Sequence, residues 1–137
     1  MNQSEMYSSP VLVHWTYTRD EWRRFIRWKK QKKGFLYYII HRLWHNIQLP
    51  VPEVKITPEQ VWIGNEQRHF SNDQHQLRRI EIRNEGQINV MEITYRWSKR
   101  KTTGLGEIRI PVPRGKLKEA IEVEEKLNVR RGVNRQD

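Results

Sequence analysis

The chain contains no cysteine. Disulfides, thiolate metal sites and cysteine nucleophiles are excluded by that absence alone, which suits a reducing cytosol without requiring one. Long apolar runs are also missing. The greasiest stretch, residues 35–40, is Phe-Leu-Tyr-Tyr-Ile-Ile and is stopped by His41 and Arg42. A bilayer-crossing helix needs about 20 apolar residues, so the chain is not expected to span a membrane by itself. Residues 1–10 are polar, carry Glu5 where a signal peptide would carry a basic run, and lead into no apolar segment, so no secretion signal is expected. Acidic residues are scarce relative to basic ones: 16 Asp plus Glu against 26 Lys plus Arg, a formal charge of +10. A charge this far from zero favours anionic partners, whether nucleic acid, anionic lipid or an acidic protein, and otherwise serves solubility.

At 137 residues the chain has the length of one domain that buries enough surface to fold without staples. We assign residues 1–10 to a flexible N-terminus, 11–128 to a single domain with a helical insertion at about 18–49, and 129–137 to a basic tail. Residues 11–17, rich in β-branched and aromatic side chains, form a strand. Thr18 and Glu21 then make a capping box, with Tyr17 and Trp22 at the positions of a hydrophobic staple, so a helix starts near Thr18. Trp22, Phe25 and Ile26 share one of its faces, and Gly34 after a basic last turn ends it. Residues 35–47 suit a second helix, with Leu36, Ile40, Leu43, Trp44 and Ile47 on one side.

After Pro50-Val51-Pro52 the period changes to two. Val54 and Ile56 alternate with polar neighbours, residues 61–63 run to a Gly64-Asn65 turn, and residues 67–70 return as a short strand. Ile80 and Ile82 line another strand, which ends at an Asn84-Glu85-Gly86 turn. Met91, Ile93, Tyr95 and Trp97 line a longer one, residues 98–106 make a basic turn that includes Gly104-Leu105-Gly106, and Ile108, Ile110 and Val112 line the last. A helix begins at about Lys116. It has Leu117, Ala120, Ile121 and Leu127 on one face, and Lys118/Glu122 and Glu122/Lys126 as outer pairs. Strands followed by a helix give an α+β fold in which a meander sheet curls over its apolar face.

Three stretches resemble the bacterial pleckstrin-homology-like domains, particularly the YcxB-like group of uncharacterised function. They are Trp15-Thr16-Tyr17-Thr18-Arg19-Asp20-Glu21-Trp22 with Phe25, residues 54–70 with Ile56-Thr57-Pro58-Glu59 leading into Trp62-Ile63-Gly64, and Ile108-Arg109-Ile110-Pro111-Val112-Pro113-Arg114-Gly115 running into an Ala/Glu-rich helix. The resemblance implies a curved antiparallel sheet or partly open barrel, a C-terminal capping helix and an N-terminal helical insertion. It also implies that relatives carry paired transmembrane helices between the first helix and the second strand. Residues 34–52 stand there instead, with His41, Arg42 and His45, which leaves a segment that lies on a membrane rather than crossing it. The resemblance supplies neither a reaction nor a ligand.

The main candidate site is the basic helix with the aromatic segment next to it: Arg23, Arg24, Arg27, Lys29, Lys30, Lys32 and Lys33, then Phe35, Tyr37 and Tyr38. A polybasic run beside aromatics has the composition of an interfacial anchor, in which cations meet anionic headgroups and aromatic rings sit at the headgroup boundary. The plain alternative is a helix whose apolar side packs on the sheet while its charges face water. The partner is then an anionic lipid surface or a membrane protein. The localisation is cytoplasmic, or peripheral on the inner face of the membrane. Nucleic acid is the alternative partner, since aromatics beside arginine can stack on bases, although no helix-turn-helix, zinc-finger or RNA-recognition signature is present. Lys99, Arg100 and Lys101 form a secondary basic loop, either a phosphate cradle or a charged turn that keeps a hairpin soluble.

Chemistry is thinly represented. His41 and His45 are spaced i,i+4, but zinc needs further ligands and nothing in the sequence brings His69 or His75 to them, so no metal is expected. His14 is a surface strand residue. Glu81, Glu92 and Glu107 alternate with apolar strand residues and are expected to face solvent. No nucleophile elbow, phosphate loop or dinucleotide fingerprint occurs, so no catalytic residue and no cofactor is assigned, and a binding module is expected rather than an enzyme. The oligomeric state is not legible.

Overall fold

The computed structural model describes residues 10–33 and 51–135, with side chains described at 10–29 and 51–129. The second helix expected over 35–47 lies outside the described residues. Along the chain come β1 (Val13–Trp15), α1 (Arg19–Lys33), β2 (Val54–Ile56), β3 (Gln60–Ile63), β4 (Glu66–His69), β5 (His75–Asn84), β6 (Asn89–Lys99), β7 (Thr102–Val112) and α2 (Leu117–Arg135). The class is α+β. The strands do not form one curved sheet or a closed barrel. They divide into two antiparallel sheets, ordered β1-β2-β3-β4 and β5-β6-β7.

The division falls at Phe70. Its ring is wholly buried, and its N–H donates to the Glu59 carbonyl at 3.0 Å, one step beyond the Gln60–His69 pair, so the bonding of the β3–β4 ladder ends here with the ring in the core. Burying a phenylalanine is worth about 2–3 kcal/mol, which fixes the point where the chain passes from one sheet to the other. A short turn through Asn72 and His75 then starts β5.

The core lies between the inner faces of the two sheets. Val13, Trp15, Val54, Ile56 and Val61 come from the first sheet, and Leu77, Ile80, Met91, Ile93, Tyr95, Ile108 and Ile110 from the second. The two-residue alternation read in β6 and β7 therefore separates the side chains that enter this core from those on the outer face of the sheet. From α2, Ala120, Val123 and Leu127 complete the core, and the helix packs against β5.

Two expectations are corrected here. Leu117 and Ile121 do not share the buried face of α2, and each is 41% exposed. At about 100° per residue they sit roughly a quarter turn or more from the stripe of 120, 123 and 127, and the small Ala120 and Val123 let that stripe approach β5. The helix also runs on to Arg135, and an ion pair at its start joins Lys116 to Glu119 at 2.9 Å.

The second correction concerns residues 98–106. The turn is only Arg100-Lys101, because Lys99 already pairs with Thr102 and β7 continues through Gly104-Leu105-Gly106. These glycines make room rather than a turn. Gly106 pairs with Tyr95 and Gly104 with Trp97. A Cβ on Gly106 would lie 2.4 Å from Tyr95 Cζ, and one on Gly104 would lie 2.4 Å from Trp97 Cζ2. The two rings lie across the β7 backbone on its inner side, in space that only glycine leaves open.

Candidate anion-binding surfaces

Local chemistry starts α1 where the sequence suggests. The Thr18 N–H donates to Glu21 Oε1 at 2.9 Å, and the Glu21 N–H donates to Thr18 Oγ1 at 3.1 Å. This reciprocal cap satisfies two of the helix's orphan donors. Glu21 also ties the helix to the segment that follows β7, because its Oε2 accepts the Arg114 N–H at 2.7 Å. Partial burial alone would raise its pKa, but the hydrogen bonds from Thr18 and Arg114 and the Arg114 charge outweigh burial and hold the carboxyl below its ordinary value. Tyr17 fixes the same corner by donating its hydroxyl to the Pro111 carbonyl at 2.8 Å. Burial, with the nearby Glu21 charge adding, pushes its phenol pKa far up.

A row of rings then runs along one side of α1. Tyr17 to Trp22, Trp22 to Phe25 and Phe25 to Trp28 are spaced 5.4, 5.3 and 6.0 Å between centroids. Phe25 is 2% exposed, and the Arg109 guanidinium of β7 lies over the Trp28 ring at 5.7 Å. The aromatic side of α1 is thus used in holding the helix to the protein. Arg23 and Arg27 are exposed on the other side. Arg24 is half-buried and pairs with Asp20 at 3.1 Å, and the Lys29 ammonium lies 5.7 Å over the Phe25 ring. Lys30, Lys32 and Lys33 belong to the helix, but their side chains are not described; Phe35, Tyr37, Tyr38, His41 and His45 lie outside the described residues.

Under α1, the outer face of the second sheet is charged. Glu92 was expected to face solvent, and this is corrected: its side chain is 7% exposed. Arg109 Nε stands 3.3 Å from it, and Arg79 and Arg83 stand at 3.8 Å. Glu81 and Glu92 are direct cross-strand neighbours. Like charges placed opposite each other repel, and the bracketing arginines reverse that sign. Glu81 accepts from Arg83 at 3.0 Å, and Glu107 pairs with Arg109 at 2.8 Å. Between α1 and the β5–β6 turn lies a cleft of about 230 Å³ lined by Arg24, Arg27, Trp28, Glu85, Gln87 and Ile88, which carries both signs of charge.

Lys99, Arg100 and Lys101 are exposed at the tip of the β6–β7 hairpin. Their neighbours are not evident from the sequence. Arg96 and Leu105 face each other across the two strands, and Leu105 is 71% exposed. One signal does point to it: Leu105 is out of phase with Ile108, Ile110 and Val112. The fold also joins His69 and His75, whose rings are 6.0 Å apart. Burial, with His69 adding, lowers the His75 pKa, and His75 Nδ1 lies 2.9 Å from Asn72 Oδ1. Among the described residues no group of three or more His, Cys, Asp or Glu side chains could hold a metal ion, and no helix is long and apolar enough to cross a membrane. Comparison of the chain with family models, with curated proteins and with solved structures gave no match.

Proposed function

We propose that the chain is a non-enzymatic binding module, pleckstrin-homology-like in architecture and akin to the YcxB-like group, that docks on an anionic membrane surface through α1. One observation carries the reading. The aromatic side of α1 is consumed by packing on the protein, while Arg23 and Arg27 project with no carboxylate partner among the described residues. The helix holds eight basic residues against Asp20 and Glu21, and the sequence continues from it into Phe35, Leu36, Tyr37 and Tyr38.

Each basic residue near an anionic leaflet is worth about 1 kcal/mol. A handful therefore gives reversible, salt-sensitive binding, and firm attachment needs an apolar contribution as well. In the described part of α1 Phe25 is buried and Trp22, Ile26 and Trp28 are only partly exposed, so most of that contribution falls to the aromatics after Gly34. A membrane-associated protein with an acidic surface would meet the same cations.

Co-sedimentation with vesicles of phosphatidylcholine plus phosphatidylserine, and of phosphatidylcholine alone, tests the reading, with an oligonucleotide competitor in parallel. Sedimentation with the anionic vesicles only, weakened but not abolished at moderate salt, is the expected result. Binding to the oligonucleotide without binding to vesicles would move the same charge to a nucleic-acid role and overturn the membrane reading.

A further inference from the structure

A second basic element stands at the opposite end of the β5–β6–β7 sheet from the start of α1. Tyr17 and Glu21 anchor α1 at Pro111 and Arg114. The Lys99–Thr102 pair closes the β6–β7 ladder at the other end from the Asn89–Val112 pair. At about 3.3 Å per residue, the ten steps of β6 between those pairs span about 33 Å, and Arg24 and Arg27 stay at the α1 end, beside Glu85, Gln87 and Ile88 of the β5–β6 turn.

The hairpin carries Arg96, Lys99, Arg100 and Lys101, all exposed and none in an ion pair among the described residues. The nearest carboxylate on β7, Glu107, is held by Arg109 at 2.8 Å. Asp73 is the other acidic residue close by. It sits in the 72–74 turn, which the Ser98 N–H reaches by donating to the Gln74 carbonyl at 2.8 Å.

Two details distinguish this hairpin from a turn that is charged only for solubility. Arg100 has φ of 57°, the left-handed region where glycine or asparagine sits without strain. A strained non-glycine residue at a loop tip points to a use for its side chain. Leu105, 71% exposed on the outer face opposite Arg96, is a large apolar side chain beside cations rather than in the core. It is also firmly placed, since Trp97 and Tyr95 fill the inner side of β7 at Gly104 and Gly106.

Separation and chemistry together select the partner. A small anion reaches one basic region but not the other, so a partner that meets both is extended over about 33 Å. Phosphates of a nucleic acid give an exposed leucine nothing, whereas the headgroup boundary of a bilayer takes both a leucine and the cations around it. We propose that the β6–β7 hairpin is a second membrane-contact element: Leu105 enters the headgroup boundary, and Arg96, Lys99, Arg100 and Lys101 hold anionic headgroups. The proposal rests on the reading that α1 docks on a bilayer.

The absence of cysteine makes the test direct. Leu105→Cys, and Asn65→Cys on the exposed β3–β4 turn, are each labelled with a polarity-sensitive fluorophore in the full chain. Each is mixed with phosphatidylcholine/phosphatidylserine vesicles, with phosphatidylcholine vesicles, and with an oligonucleotide. The expected result is a blue shift and quenching by a lipid-borne quencher at position 105 on the anionic vesicles alone, and neither at position 65. An unlabelled Lys99→Ala/Arg100→Gly/Lys101→Ala variant, checked for folding by circular dichroism, should bind those vesicles at least tenfold more weakly. If the wild-type chain sediments with anionic vesicles while position 105 stays in water and the triple variant binds as wild type does, the hairpin proposal falls and the α1 reading stands. If the wild-type chain does not bind vesicles, both fall. A change at position 105 with the oligonucleotide alone would also overturn the proposal.

Discussion

Gly106→Ala tests the packing that holds the outer hairpin in place. The added Cβ would meet Tyr95 at 2.4 Å from Cζ and 2.5 Å from the hydroxyl oxygen. Tyr95 has little room to retreat, because it is 8% exposed and its hydroxyl accepts from Arg68 Nη2 at 3.3 Å. Overpacking of this kind costs about 1–3 kcal/mol. With an unfolding entropy of roughly 0.29 kcal/mol/K for a chain this long, a 2 kcal/mol loss lowers Tm by about 7 °C. The informative experiment is the double-mutant cycle with Tyr95→Ala, read by thermal and urea denaturation. Without the ring, Gly106→Ala meets open space and gains a few tenths to about 1 kcal/mol, as alanine does over glycine in a strand. The coupling is therefore about 2–3 kcal/mol. Additive effects within about 0.5 kcal/mol, or a Gly106→Ala variant as stable as wild type, would refute the reasoning.

The same geometry sets four further outcomes. Glu21→Gln weakens the cap and the tie to Arg114, by about 1–2 kcal/mol at neutral pH. Because the folded carboxyl titrates below its ordinary 4.5, the Glu21 contribution is intact above that value and is lost as pH falls below it. The wild-type and variant denaturation curves should therefore converge in acid. Glu92→Ala leaves three guanidiniums facing one another; a fully buried pair would cost 3–5 kcal/mol, and with Arg79 and Arg83 half exposed about 2–3 kcal/mol is expected in urea denaturation. His75, whose pKa is held below its ordinary 6.5 by burial and by His69, resists protonation more in the folded chain than in the unfolded one. Stability should fall as pH drops through about 6.5, and His75→Gln should flatten that slope in a pH series of Tm values. Arg100→Gly, which relieves the left-handed strain at φ 57°, should raise stability by about 0.5–1 kcal/mol while weakening vesicle binding.

The features legible in the sequence were local. Thr18 and Glu21 are three residues apart, and Tyr17 and Trp22 five, so the cap and staple depend on no distant contact, and both form. The alternation of Met91, Ile93, Tyr95 and Trp97 identifies the inner face of β6 for the same reason. The features that escaped depend on the strand across the way. Glu92 has the phase of an outward residue, and only the packing of Arg79, Arg83 and Arg109, with α1 close by, makes that outward position a buried one. Gly104 and Gly106 read as turn residues until Trp97 and Tyr95 are seen to be their cross-strand partners. On α2, Ile121 outranks Val123 in bulk, yet tertiary packing against β5 favours the stripe through Val123.

The candidate site divides in the same way. The number of cations on α1 is visible in composition, but their direction is set by the ring row that turns Phe25 inward and leaves Arg23 and Arg27 outside. Arg96 and Leu105 join the tip cations only through the β6–β7 register. His69 and His75 approach because the chain folds back at Asn72, a contact that spacing alone does not reveal.

Flotation of the wild-type chain and of an Arg23→Glu/Arg27→Glu variant with phosphatidylserine-containing vesicles tests the central claim most directly. Both arginines are exposed, so reversing them should leave the fold intact. At about 1 kcal/mol per basic residue, and about twice that for each reversal, the variant should bind at least tenfold more weakly than wild type. Equal flotation of the two proteins, or no flotation of the wild-type chain at low salt, would contradict the account.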